Sequence, residues 1–494
     1  MAVGFSSYGI ARSGLMVSER GLNVTGHNIS NVDTPGYVRQ QSIAESSPCI
    51  TVFGKNNYFQ YGTGADIQET RQLRNIFLDN IYRQENTSLG YHETRSKAIN
   101  DVEAIINDPM SDGLQKVMNQ FWDSWHELSK APESLVTRAL VRERGQALVY
   151  YFNQVGTQLD RLQNDLNSEI LIQVDKVNSI TRGIAALNQK IASQEIAGDS
   201  ANDYRDQRNV LLDDLSRICD AQINEMQDGQ VDITLDGYLL VSKGASKNLY
   251  VEPNNINGNF YYPMLEGIDV QINIKSGKLK GLLESRGEVS GIKSTSDPDS
   301  NIPKSKNIIS DIKIKLNAML NKIATQVNSL QQSGKTLDKK DGVDFFKKAD
   351  SDYPLQMGNI ALSDALTSED GLNNIVASKS TAVGDNTIAR EIANLRDVDL
   401  LQDSSGMISI DEYYRAMVLD IGNQGSEATI AMNNQQILVQ SANEQRTAIS
   451  GVSMDEEMSN MMKYKFAYDA SARVLNIIDS MVEKVVNSMG IVGR

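Results

Sequence analysis

The 494-residue sequence predicts a mainly α fold with a smaller β-rich domain. Its expected form is elongated, with the terminal helices paired as a coiled coil, a long-helix bundle as the body and an inserted β domain. Three observations predict this. Apolar residues step by three or four without a break through about 134–197. The end of the chain carries an apolar repeat of seven residues. Between these helical stretches, Val231, Ile233 and Leu235, then Val270, Ile272 and Ile274, alternate with polar residues in the period of a strand.

The first element covers about residues 4–30. Tyr8, Leu15, Leu22 and Ile29 recur every seven residues, as do Ile10, Val17 and Val24, so the helix wants burial on two sides. Gly9, Gly14, Gly21 and Gly26 lie inside it, and each costs about 1 kcal/mol against Ala. Such a helix forms fully only against partners. Asn28-Ile29-Ser30-Asn31 and Val32-Asp33 then stop it, and Thr34-Pro35-Gly36-Tyr37 reads as a type II turn.

Residues 38–66 read as extended and loop-like, punctuated by Pro48, Gly54, Gly62 and Gly64, with helix resuming near 67. The long seam runs Leu148, Phe152, Val155, Leu159 and onward to Ile191. One helix over 134–197 would be about 95 Å long at ~1.5 Å per residue. A β-rich insertion is expected over 221–285, with Asp236-Gly237 as a hairpin turn. A loop follows at 286–303. Helices are expected at about 303–333, 385–400 and 408–450, around an irregular segment at 334–380. The last helix opens on the capping-box pattern Ser453-Met454-Asp455-Glu456. Met454, Met461, Tyr468, Leu475, Val482 and Met489 form its repeat, Met458 widens the stripe, and Gly490 is a stop signal. These readings divide the chain into a terminal assembly domain (1–45 plus 452–494), a helical body (46–220 plus 300–451) and the β-rich insertion (221–299).

Composition narrows the function. With 48 Lys+Arg against 63 Asp+Glu, the net charge is −15, which repels phosphate backbones, so no nucleic-acid partner is expected. A basic stretch at 275–348 lacks interleaved aromatics and reads as a solvated face. Cys49 and Cys219 are too few for a disulfide framework or a Cys-based zinc site. No run approaches 18 consecutive apolar residues, so no membrane insertion is expected. Met1–Ile10 lack the pattern of a Sec-type signal, so the chain is expected to stay inside or leave by a route that does not use one.

Catalytic signals are weak. His27 reads as a polar helix-end residue before a turn, His92 and His126 have no partner nearby in sequence, and no common catalytic or nucleotide motif occurs. Trp122 and Trp125 share a helix face and read as core. Asn28-Ile29-Ser30 matches a glycosylation sequon only formally. We expect no enzyme, no metal and no cofactor. The methionines of the last helix fit either a fixed internal seam or a surface that changes partners.

The run from Gly21 to Gln40, with its core Asn28-Ile29-x-Asn31-Val32-x-Thr34-Pro35-Gly36-Tyr37, resembles the N-terminal motif of the bacterial flagellar rod, hook and hook-associated family. Glu456-Glu457 through Tyr464, Tyr468 and Ala470-Ser471-Ala472-Arg473-Val474 resembles that family's closing helix. Tyr37-Val38-Arg39-Gln40 and the segment Tyr204-Arg205-Asp206-Gln207-Arg208 are similar to its hook-associated branch. The resemblance implies a structural protein that polymerises at the hook–filament junction, exported by the flagellar type III apparatus and cytoplasmic until then. Its implied partners are further copies of itself in a ring-like zone, the hook protein, a second junction protein and an export chaperone on the C-terminal helix. Implied assembly residues are Leu15, Leu22, Asn28, Ile29, Asn31, Thr34, Pro35, Gly36 and Tyr37. Met454, Met458, Met461, Tyr468, Leu475 and Val482 form the implied stripe for assembly and chaperone. The rival readings are a hook or distal-rod protein and, more remotely, a wall hydrolase carried on the flagellum.

Overall fold

The structure is a computed structural model that describes residues 2–53, 58–106, 113–196, 198, 200–254, 259–287, 307–380, 382, 384–403 and 406–489. Helix α1 (Ala2–Ser30) leads into strands β1 (Gln40–Ser46), β2 (Ile50–Phe53), β3 (Tyr58–Tyr61) and β4 (Ala65–Gln72). Helices α2 (Ile76–Ile106), α3 (Leu114–Lys130), α4 (Leu135–Ile196) and α5 (Asn202–Ile218) follow. Strands β5 (Gln222–Glu225), β6 (Val231–Leu235), β7 (Tyr238–Ser242), β8 (Ala245–Ser246), β9 (Leu249–Asn254), β10 (Phe260–Leu265) and β11 (Val270–Gln271) precede α6 (Lys278–Arg286) and α7 (Ile309–Ser333). Then come β12 (Phe346–Lys348), β13 (Ile360–Leu362), α8 (Asp364–Thr367), α9 (Thr387–Asn394), β14 (Asp399–Asp403) and β15 (Gly406–Ser409). The chain closes with α10 (Ile410–Ser450) and α11 (Met454–Met489).

The chain forms two compact units, one of Met1–Thr87, Lys176–Asn248 and Gln436–Arg494, the other of Ser88–Asp175 and Leu249–Gln435. Helices α2, α4 and α10 contribute residues to both.

In the first unit α1 packs along α11, and the antiparallel pair β1–β4 lies against α1. Strands β5-β6-β7-β8 form an antiparallel sheet. Its β6–β7 turn is the expected one, with positive φ at both Asp236 (51°) and Gly237 (81°), the geometry Asp-Gly favours. Helix α5 is tied to this sheet through polar groups. Asn188 of α4 is fully buried and donates to the carbonyls of Val231 and Lys243, and Arg208 of α5 donates to Asn188 Oδ1 at 3.0 Å and to the Gly229 carbonyl at 2.7 Å.

The second unit is built on one apolar core. Phe121, Trp122 and Trp125 of α3 sit there with Phe345 and Phe346, whose rings are 4.8 Å apart, edge to face. Trp122 and Trp125 are therefore core residues, as their spacing indicates. Helix α9 packs on α3 and α7. Leu148, Phe152, Val155 and Leu159 of α4 bury their seam positions in the same core. The sheet β11-β10-β9 and the pairs β12–β13 and β14–β15 are all antiparallel.

Several expectations change. Residues 38–66 hold three strands and the start of a fourth rather than loop, because Ile43, Ile50, Val52 and Ile67 pair across hairpins. Helix resumes at Ile76, not near 67, since 65–72 are the partner of β1. The end of the expected β insertion is helix α6, where Leu279 and Leu282, three apart, are both buried. Residues 334–380 contain β12, β13 and α8, and the helix expected at 385–400 ends at Asn394, with a 3₁₀ turn at Leu395–Asp397 and strand β14 following. Most of the loop expected at 286–303, and the stop signal Gly490, lie outside the described residues.

Candidate assembly site

The two ends of the chain meet in register. Asn28 of α1 donates through Nδ2 to Glu457 Oε2 of α11 at 3.0 Å. Seven residues earlier, Gly21 lies beneath the ring of Tyr464, and seven earlier again Gly14 faces the hydroxyl of Ser471. Each step of seven up α1 is a step of seven down α11, so the helices run antiparallel with a matched repeat. Ala11, Ser18, Gly21, Thr25 and Asn28 are the buried face of α1 along with Val24. This seam is made of small side chains. Two of the four glycines are therefore close-approach positions rather than points of weakness, while Gly9 and Gly26 have open space where a Cβ would be. The larger apolar sets sit to the side: Leu15, Leu22 and Ile29 are half-buried, and Tyr8 and Ile10 are exposed.

At the foot of α1 the family-like motif forms a knot of hydrogen bonds. The turn is type II: the Thr34 carbonyl accepts from Tyr37 N at 3.1 Å, and Gly36 has φ +77°. A Cβ there would also meet Val210 of α5 at 2.2 Å. Asn31 Nδ2 donates back to the His27 carbonyl, and Thr34 Oγ1 to Asn31 Oδ1, which closes the helix end. This turn brings Tyr37 and Gln40 back over Asn28. Asn28 Oδ1 accepts from the Tyr37 hydroxyl at 2.7 Å and from Gln40 N at 3.0 Å, and Nδ2 donates to the Gln40 carbonyl at 2.9 Å as well as to Glu457. All four bonding positions of the amide are filled, and the residue is buried.

The next residues fasten the knot to its surroundings. Arg39 N donates to the Ser450 carbonyl, at the break between α10 and α11, and the Arg39 carbonyl accepts from Leu73 N. Its guanidinium pairs with Glu456 and with Glu457, each at 2.7 Å. Glu456, the acidic member of the capping pattern, is thus engaged by Arg39. Glu457 is buried and is held by Arg39 and Asn28 together. Val38 N donates to Asp206 Oδ2 at 3.1 Å, and Gln72 Nε2 donates to Asp206 Oδ1 at 2.7 Å. Burial pushes the Asp206 carboxyl up to about 7, against the opposing pull of Val38 N–H, Arg74 and Gln72. Burial also raises the Tyr37 phenol well above its usual range, helped by Asp203, Asp206 and Glu457, so it serves as a neutral donor. Asp203 accepts from Gln40 Nε2 at 2.9 Å and lies 3.3 Å from His27 Nε2.

Of the singled-out residues, the fold gathers Asn28, Asn31, Thr34, Gly36 and Tyr37 into this knot, while Pro35 is exposed at the turn. The C-terminal stripe divides. Met461, Tyr468 and Leu475 are half-buried, whereas Met454, Met458 and Val482 are 40%, 54% and 50% exposed. The exposed apolar residues of α11 are others as well, Met462 and Phe466 following Met454 and Met458 in steps of four, then Val474, Ile477, Met481 and Val485. Sequence reasoning missed Arg39, Asp206 and Glu457 as site residues. Among the described residues no group of three His, Cys, Asp or Glu could hold a metal, and no helix is long and apolar enough to cross a membrane.

By its fold this is a mainly helical chain whose two ends pair with each other through a small-residue seam and a saturated polar knot. Comparison narrows this. The family profile described as the flagellar hook-associated protein FlgK helical domain matches residues 99–346, just over half the chain, and the flagellar basal body rod FlgEFG C-terminal profile matches 444–489. The chain is 29% identical to flagellar hook-associated protein 1 of Bacillus subtilis (strain 168), covering 98% of each. It is 22% identical to the protein of that name in Escherichia coli (strain K12), covering 97% of this chain and 98% of that one. In fold it matches the solved flagellar hook junction protein FlgK from Burkholderia pseudomallei, with TM-score 0.62 and 13% identity over 75% of this chain and all of that one. The chain belongs to the flagellar hook-associated FlgK family.

Proposed function

We propose that the chain works at the hook–filament junction as a structural piece whose two ends are its assembly element. It joins hook to filament and carries out no catalysis. The observation that carries this is the terminal pair. Part of α11 is spent on the small-residue seam of α1, and apolar side chains elsewhere along it stay open, with Phe466 at 69%, Ile477 at 53%, Met481 at 60% and Val485 at 55% exposure. Fully burying a side chain of this size contributes roughly 1.5–3 kcal/mol, so a row of them is a strong drive toward neighbours.

The occupants in this reading are adjacent copies in a ring-like zone, with hook protein on one side and the second junction protein on the other. Before assembly, a chaperone covers the α11 stripe while the chain awaits type III export from the cytoplasm to the cell exterior. Leu15, Leu22 and Ile29 flank the pair, and the knot of Asn28, Asn31, Thr34, Pro35, Gly36 and Tyr37 fixes its base.

Deletion of 1–37 or of 453–494 tests this. The expected result is a folded body that is absent from the hook tip in labelled micrographs of cells. A truncated chain that still occupies the junction and restores swimming refutes the reading.

A further inference from the structure

Methionine is unevenly shielded in this chain. Met118, Met319, Met357 and Met417 lie in the core of the second unit, none more than 5% exposed. In α11, Met454, Met458, Met462 and Met481 are 40%, 54%, 55% and 60% exposed, and the first three stand four residues apart on one helix face; Met16, Met226 and Met407, at 53%, 46% and 54%, are as open but stand singly. Thioethers are chosen where contacts must adapt, and they are also the apolar side chains most easily turned polar by oxidants.

We propose that Met454, Met458, Met462 and Met481 form an oxidation-sensitive modification site, and that a peroxide, by converting them to sulfoxides, withdraws the free chain from assembly. The thioether sulfur attacks one peroxide oxygen. An S–O bond forms as the O–O bond of hydrogen peroxide breaks, and the departing hydroxide takes the proton of the oxygen now on sulfur and leaves as water. Sulfur is oxidised by two electrons and the peroxide is reduced by two. Each product carries a strongly polar S=O where the exposed face was apolar. A partner that buries it must desolvate that dipole. The helix itself is expected to persist, because these side chains are among the exposed ones of α11. Once the face is covered in the assembled state, the same sulfurs are shielded, so the sensitivity belongs to the unassembled chain. The consequence for assembly rests on the reading of α11 given above.

The test uses the full-length purified chain, graded hydrogen peroxide and peptide mapping by mass spectrometry, followed by incubation with isolated hooks that lack it. Cys49 is exposed and also reacts, so all arms carry Cys49→Ser. The four α11 methionines are expected to oxidise before Met118, Met319, Met357 and Met417. Incorporation is expected to fall about tenfold, and methionine sulfoxide reductase to restore it. A variant with all four α11 methionines replaced by Leu is expected to incorporate to the same extent before and after peroxide, whatever level it starts from. Equal oxidation of the core methionines, undiminished incorporation of the oxidised chain, or equal peroxide sensitivity of the Leu variant overturns the proposal. The 453–494 deletion run in parallel separates the two ideas: if it incorporates, the assembly reading fails, and if it does not while the oxidised chain does, only the modification fails.

Discussion

Gly21 of α1 lies directly under the ring of Tyr464 of α11: a Cβ built on Gly21 would stand 2.6 Å from two ring carbons. No real Cβ tolerates that distance, so the helices sit as close as they do because position 21 has no side chain. Gly21→Ala is expected to push α11 away and cost at least ~2 kcal/mol, an overpacking penalty. Gly26→Ala meets nothing within 4 Å and is expected to stabilise α1 by up to about 1 kcal/mol. Denaturant unfolding followed by hydrogen exchange in α1 measures both. Equal effects from the two substitutions contradict the seam.

Asn28 fills its four bonding positions from three residues in two segments of the chain. Asn28→Ala leaves the buried Glu457 carboxylate and the Gln40 backbone short of partners, at roughly 1–3 kcal/mol for each orphaned group. Asn28→Asp is expected to do still worse, since it sets a second carboxylate against Glu457. Faster amide exchange at 454–464 is the readout. An unchanged exchange pattern in Asn28→Ala would show that the knot does not hold α11.

Much of the helical layout was legible in the chain itself. The seam of α4 from Leu148 to Ile191 is buried at nearly every position its spacing marks, and α11 begins within a residue of its capping pattern. Apolar periodicity survives in sequence because each turn repeats the same demand. The polar knot leaves no such trace. Asn28 and Glu457 are 429 positions apart, and Val38 and Asp206 are 168 apart, so nothing local links them. Gly14 and Gly21 were visible, seven apart and in phase with Asn28. Read as a cost in helix propensity, they concealed a packing face that only the partner helix explains.

Asp206 gives the first unit a pH dependence of defined sign. Its carboxyl titrates near 7 in the fold and near 4 unfolded, so the folded state holds more protons between those values. Stability therefore falls as pH rises from about 4 to about 7 and levels off above, by up to about 4 kcal/mol for this group. Asp206→Asn is expected to flatten that slope, as read from unfolding midpoints across the window. A variant whose midpoint changes with pH as steeply as the parent chain's removes Asp206 as the cause.

Gly36 combines a left-handed backbone, φ +77°, with a neighbour, Val210, where a Cβ would go. Gly36→Ala is expected to cost more than the ~1 kcal/mol of backbone strain alone. Val210→Ala in the same chain is expected to recover the steric part and leave the strain. Failure of that second change to recover any stability would place the cost elsewhere.

The central claim is that the exposed apolar residues of α11 are covered by other subunits. An electron cryomicroscopy map of the hook–filament junction containing this chain, resolved to side chains, tests it most directly. Phe466, Ile477, Met481 and Val485 are expected to lie against neighbouring chains there, with the α1–α11 register of Gly21 on Tyr464 intact. A junction in which those four side chains still face solvent contradicts the account.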